Sequence, residues 1–359
     1  MPSRKKTTTE AYREALEMVA PGTRLREAIS AILQSGTGAL LCFGPPAKLS
    51  RLSEAGVKLD APVTPQLVYE LSKMDGAIIM NQDGTRIMFA NRFLKPAAKT
   101  PSEETGTRHR TAQRLSDQAK CVVIAVSQRR ASVTLYVYGE RHVLDSIPAL
   151  MNKAMQAIQT LEKYMTVLHT SMLELTVREF QDIVTIFDVC RTIQRTEMVV
   201  RIAKEIEPHI LELGTEGRLL ALQLEELLLP VQEARLVAKD YFKHKEGLTF
   251  KEVEKRIGGI TQQELLSLGN ISQVLGYGSN LRSVDSYLTP RGYRVLKSTH
   301  RLPSQIIENL VQRFESLQGI VRAPKEDLVE VDGVGEVLAE RVRISLNLLR
   351  NQLALDDRR

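Results

Sequence analysis

Ala77-Ile78-Ile79-Met80-Asn81-Gln82-Asp83-Gly84-Thr85-Arg86-Ile87-Met88-Phe89-Ala90 is the stretch that decides how the first part of this 359-residue chain folds. Two apolar bursts of strand character flank a connection whose Asp83-Gly84 step is a strong hairpin signal. Similar bursts run from 38 to 43, from 121 to 126 and from 133 to 138. Helical stretches interleave them, from 10 to 19, 65 to 73 and 107 to 119, the last with Thr107 as its expected N-cap. A hairpin among strands that alternate with helices predicts an α/β domain with a mixed central sheet and flanking helices, over residues 1–147.

The middle of the chain reads differently. No glycine occurs between Gly139 and Gly214, and no proline between Pro148 and Pro208, which predicts long helices. Leu161, Tyr164, Met165 and Leu168, then Phe180, Ile183, Val184 and Phe187, recur at the three-and-four spacing of an amphipathic face. Further helices are expected from 217 to 229 and from 231 to 243, so residues 148–284 read as an all-α linker or spine. In residues 285–359, short helices are punctuated by glycine and proline. The run 328–342 there carries an apolar-Gly-apolar-Gly centre at Val331-Asp332-Gly333-Val334-Gly335. Its glycines permit a tight turn between two helices, with Gly333, Val334 and Gly335 presenting backbone N–H groups to a DNA phosphate. This is the pattern of a helix-hairpin-helix DNA-binding domain. The acidic Glu336 follows directly, and acids slightly outnumber bases from Arg322 onward. DNA affinity would then rest on avidity across subunits, or on Arg282, Arg291, Arg294, Lys297 and Arg301.

Composition sets the outer limits. The length exceeds one ordinary core and predicts two or three domains, and the 43% apolar share is that of a globular protein. A net charge of +6 favours an anionic partner. Cys42, Cys121 and Cys190 are far apart in apolar stretches and read as reduced, buried thiols. The N-terminus lacks the apolar core of a secretory signal, and no apolar run approaches the roughly 20 residues that span a bilayer. A cytoplasmic protein is expected. No Gly-x-x-x-x-Gly-Lys-Ser/Thr loop is present, Gly36-Thr37-Gly38 is too short to indicate a dinucleotide fold, and the six histidines show no zinc-ligand spacing.

Two segments carry chemistry. Ser102-Glu103-Glu104-Thr105-Gly106-Thr107-Arg108-His109-Arg110 sets two arginines, a histidine and three hydroxyls beside a glycine at a helix start. Arginine offers planar bidentate donors to phosphate, and the amides and dipole of a helix N-terminus favour anions. Asp75-Gly76-Ala77 places a carboxylate beside a residue that lets another group approach the backbone, just before a strand.

Asp-Gly-Ala at 75–77, Gly-Thr-Arg-His-Arg at 106–110, a central helical region and the C-terminal hairpin occur in the order and approximate spacing of the diadenylate cyclases, which this chain resembles over nearly its whole length. The resemblance implies condensation of two ATP into cyclic di-AMP, each 3′-hydroxyl attacking the α-phosphate of the other molecule and releasing pyrophosphate. Asp75 would bind Mg²⁺ or Mn²⁺ and help to activate the hydroxyl, Gly76 would let the ribose approach, Ala77 would belong to the ATP site, and Leu94 would contact adenine. Thr107, Arg108, His109 and Arg110 would hold the triphosphate, with Gly106 also in the ATP site and Ser127 a further phosphate contact. Arg129 and Arg130 would be solvated or touch phosphate or a neighbouring subunit. The resemblance also implies a homo-octamer of face-to-face cyclase domains, control by branched or damaged DNA, and a place at the nucleoid. A non-catalytic ATP-sensing protein that binds DNA junctions is the alternative.

Overall fold

The computed structural model describes residues 7–130, 132–243, 249–279, 286–300 and 302–356. The chain packs as two compact units, one of residues 1–156 and 206–222, the other of 157–205 and 223–359. The expected boundary at 284/285, and Arg282 and Arg301, lie outside the described residues.

The first unit begins with helices α1 (Thr8–Val19) and α2 (Arg24–Gln34), then β1 (Ala39–Phe43), α3 (Pro46–Arg51), β2 (Ser53–Glu54), β3 (Val57–Pro62), α4 (Pro65–Ser72), β4 (Ala77–Met80), β5 (Arg86–Leu94), α5 (Thr107–Ala119), β6 (Val122–Ser127), β7 (Ser132–Val137) and β8 (Glu140–Leu144). The strands form one mixed sheet in the order β2-β5-β4-β1-β6-β7-β8, with β3 also paired to β5. Among the described strands only β1 and β4 pair in parallel; β4 and β5 are the expected antiparallel hairpin. Gly84 in its turn takes φ +65°, the left-handed conformation that glycine adopts without steric cost.

Alternation along the central strands builds a core on each face of the sheet. Leu41, Phe43, Ile78, Met80, Ile124 and Val126 pack with α1, α2 and α4. Leu40, Cys42, Ala77, Ile79, Val123, Ala125 and Tyr136 pack with α3 and with Ala112, Leu115 and Ala119 of α5. β1 and β4 are therefore buried along their whole lengths, which is why they read as continuous apolar runs. Cys42, Cys121 and Cys190 are free and buried; burial pushes the Cys121 thiol up to about 12 and keeps it protonated.

Two long helices follow, α6 (Ile147–Gln181) and α7 (Ile186–Leu213), as the absence of glycine predicts. The expected second stripe, Phe180 to Phe187, does not lie on one helix. Asp182 takes φ +59° and ends α6, and Ile183 and Phe187 are exposed. Thr185 and Asp188 restart the chain as α7: the Asp188 carboxylate accepts from Thr185 N at 3.0 Å and Oγ1 at 2.7 Å. That side-chain cap outweighs the continuing apolar spacing. A 3₁₀ turn (Gly214–Gly217), α8 (Arg218–Leu228), α9 (Val231–Tyr241), α10 (Phe250–Gly259), α11 (Gln262–Leu265), α12 (Leu268–Leu275), α13 (Tyr293–His300), α14 (Ser304–Phe314), α15 (Leu317–Arg322), α16 (Lys325–Val329) and α17 (Glu336–Asp356) complete the described chain. No helix of the described residues is long and apolar enough to cross a membrane.

Within the second unit, α16 and α17 flank the turn that carries Gly333, at φ +82°, with Val334 buried and Gly335 exposed. Glu336 sits in the first turn of α17, 3.4 Å from Lys325 Nζ. The expectation that Arg291 and Arg294 furnish charge to DNA is corrected. Arg291 donates to the carbonyls of Lys239 at 2.8 Å and Phe242 at 2.6 Å, and Arg294 is 2% exposed and ion-paired with Glu179 and Glu233. Arg291 thus ties the segment before α13 to the end of α9, and Arg294 ties α13 to α6 and α9. Lys297 remains exposed.

Candidate active site

Strand register gathers the sequence-predicted residues at one end of the sheet. Ala77 opposes Arg92, so Asp75, Gly76 and Leu94 share the end where β4 begins and β5 finishes. Ala39 opposes Val126, which puts Gly38 and Ser127 at the corresponding end of β1 and β6. Helix α5 starts at that end, because the Arg108 guanidinium lies against Gly38.

Thr107 is the first residue of α5 and not its N-cap. Gly106 occupies that position in an extended conformation and offers no side-chain hydrogen bond. The first turn therefore keeps uncapped amides, holds no acidic residue and carries Arg108, His109 and Arg110. Cations at a helix N-terminus oppose the helix dipole, so this turn is electrostatically incomplete until an anion joins it.

The three basic residues are placed differently. Arg108 is exposed, and its guanidinium fills the space that a Gly38 side chain would take. Arg110 braces the loop before the helix, Nε donating to the Glu104 carbonyl at 3.1 Å and Nη2 to that of Thr105 at 3.0 Å. His109 is half-buried, with Nδ1 3.0 Å from the Tyr136 hydroxyl, which donates to Glu104 at 2.7 Å. Arg141 closes this chain, 2.9 Å from the same Glu104 oxygen. Burial of the ring lowers the His109 pKa below its ordinary value; Arg130, Arg141 and Arg108 act in the same direction and Glu104 against it.

Asp75 is exposed, and its carboxylate has no hydrogen bond or ion pair among the described residues. Gly76 takes φ +106°, and a Cβ there would stand 2.9 Å from the Asn91 carbonyl carbon and 3.0 Å from Arg92 O. The close approach that demands this glycine is thus that of β5. Ala77 is buried at the start of β4, and Leu94 ends β5 at 8% exposure within the α5-side core. The Ser127 hydroxyl accepts from Arg130 N at 3.3 Å, closing the turn after β6. Ser102 is tied to Gln113 Oε1 at 2.6 Å and serves the loop.

Gly38 at this end of the sheet, and Glu104, Tyr136 and Arg141, which are linked to His109 through side chains, escaped the sequence reading as site residues. One signal was present: alternation in 133–138 sets Thr134, Tyr136 and Tyr138 on one face, and a buried tyrosine hydroxyl requires a partner.

Residues 26–141 match the family model described as DisA bacterial checkpoint controller nucleotide-binding, and residues 144–284 the one described as DisA bacterial checkpoint controller linker region. Curated relatives resemble the chain almost end to end. A DNA integrity scanning protein DisA of Clostridium botulinum is 43% identical over 342 residues, covering 95% of this chain and 96% of the relative. That of Carboxydothermus hydrogenoformans is 44% identical over 339 residues, covering 94% and 96%. That of Clostridioides difficile is 42% identical over 343 residues, covering 95% and 96%.

Proposed function

The chain belongs to the DisA family of bacterial DNA integrity scanning proteins, and from its site residues we propose that it condenses two ATP into cyclic di-AMP with release of two pyrophosphates. The observation that carries this reading is the uncapped first turn of α5, which holds Arg108, His109 and Arg110 and no acidic residue, standing at the same sheet end as the carboxylate of Asp75, unpaired among the described residues.

In-line displacement at phosphorus gains most from positioning and from neutralising phosphate charge. The amides of α5 and the Arg108 guanidinium hold the triphosphate, while Arg110 keeps the 104–105 loop in place beside them. Asp75 suits Mg²⁺ or Mn²⁺: it is an exposed, unpaired oxygen donor, and no group of three or more His, Cys, Asp or Glu stands nearby among the described residues, which fits a cation held mainly by nucleotide phosphates. Such a cation would neutralise charge on the phosphates and would lower the pKa of a bound hydroxyl. Each site holds one ATP, and closing a ring of two phosphodiesters needs two sites face to face. The active species is therefore an oligomer, read here as a homo-octamer.

The turn between α16 and α17 is assigned to DNA, its amides reading the phosphate backbone of branched structures. Glu336 at that turn makes the contact weak per subunit, so avidity supplies the affinity. ATP incubated with the oligomeric protein and Mg²⁺ or Mn²⁺ should yield cyclic di-AMP, and added branched DNA should change the rate. Unchanged ATP would support the sensor instead, and a rate indifferent to DNA would remove the coupling.

A further inference from the structure

The two ring nitrogens of His109 stand in different surroundings. Nδ1 lies 3.0 Å from the Tyr136 hydroxyl, whereas Nε2 is buried and has no hydrogen-bond partner among the described residues. Tyr136 is fully buried between the sheet and α5, and its oxygen also lies 2.7 Å from Glu104 Oε1. Arg141 Nε, 2.9 Å from that oxygen, is ion-paired with the Glu104 carboxylate.

The hydroxyl has one proton, and an ionised carboxylate only accepts. Tyr136 must therefore donate to Glu104, and the same oxygen is left to accept from His109. Nδ1 of His109 then carries the ring proton, which leaves a lone pair on Nε2. We infer that Tyr136 and Glu104 are positioning residues that fix this tautomer, so that Nε2 meets the nucleotide as a hydrogen-bond acceptor and takes a ribose hydroxyl as its partner. A phosphate oxygen, itself an acceptor, is refused by the neutral ring and admitted only once Nε2 takes up a proton. The inference rests on the cyclase reading for the identity of the nucleotide, but not for the tautomer.

The groups that face His109 are Glu104 from the loop before α5, Tyr136 of β7, Arg141 of β8, Arg130 of the turn after β6, and Arg108 beside it on α5. Tyr136→Phe keeps the buried ring and removes the acceptor. ¹⁵N-histidine NMR of the nucleotide-free full chain, with the His109 signals assigned by their loss in His109→Gln, should show protonated Nδ1 and bare Nε2 in the wild type. Mixed tautomers should follow in Tyr136→Phe, with kcat lowered on the order of tenfold, KM for ATP little changed and a shifted pH profile. Glu104→Gln, whose amide oxygen still accepts from Tyr136, should retain the tautomer. A wild-type ring protonated at Nε2 would overturn the inference, as would Tyr136→Phe with unaltered His109 signals and pH profile. A correct tautomer in a chain that makes no cyclic di-AMP would instead count against the cyclase reading.

Discussion

Arg108 lies across the backbone of Gly38, its guanidinium in the space that a Cβ on Gly38 would occupy. The glycine at the start of β1 thus sets where the first arginine of α5 points. A methyl group there meets the far end of a flexible side chain, and also Val126 O at 3.1 Å. Gly38→Ala should therefore displace Arg108 at modest cost to the fold. We expect ATP affinity to fall about tenfold, on the order of 1.4 kcal/mol, with a melting temperature close to wild type; calorimetric titration with ATP checks this, and unchanged affinity would show that Arg108 does not depend on Gly38.

Gly76 presents the opposite case, because its neighbours are backbone and its φ is +106°. Gly76→Ala adds strain of about 1–3 kcal/mol and pushes β4 from β5 where Asp75 is anchored. The unfolding midpoint in urea should drop and cyclisation should be lost together. A variant of wild-type stability would contradict the close packing of Gly76 on Asn91 and Arg92.

The buried ion pair of Glu179 and Arg294 ties α6 to α13, with Tyr241 donating to Glu179 at 2.8 Å. Arg294→Met strands a carboxylate that is wholly buried, and should destabilise the second unit by about 3–5 kcal/mol. The double variant Glu179→Gln/Arg294→Met should be less destabilised than the sum of its parts, since no charge is left alone. Denaturant titration of the set tests the coupling.

Burial depresses the His109 pKa, and three arginines reinforce that against Glu104. The ring is then neutral at pH 7, and the folded chain binds this proton less readily than the unfolded one. The contribution to stability is present above the unfolded value near 6.5 and is lost as pH falls through the folded one. An NMR titration should place the midpoint below 6.5, and Arg130→Gln should raise it by removing one repulsive charge. A midpoint above 6.5 would mean that Glu104 outweighs desolvation.

The hairpin of β4 and β5, the central strands and the helix beginning at Thr107 were legible because their apolar patterns and turn residues agree with the final packing. β3 and β8 were not. β3 is largely exposed, bulged and ends in Pro62, and β8 is the polar edge strand Glu-Arg-His-Val-Leu, so neither shows an apolar burst. The end of α6 was hidden because apolar spacing continued through Asp182, while the Thr185–Asp188 cap lay unnoticed within it. Asp75 and the basic triplet could be picked out by chemistry alone. Their meeting at one sheet end depends on register, and the role of Tyr136 on a hydrogen bond across 27 residues. Arg291 and Arg294 show the reverse failure, since charge in the sequence carries no label for burial.

The most direct test is Asp75→Asn in the purified oligomer, assayed with ATP and Mg²⁺ or Mn²⁺ by anion exchange or mass. Asp75 is exposed and unpaired, so the substitution should leave folding and ATP binding largely intact. The account predicts wild-type conversion of two ATP to cyclic di-AMP and two pyrophosphates, and no detectable product from the variant. Product formation by Asp75→Asn at the wild-type rate would contradict it.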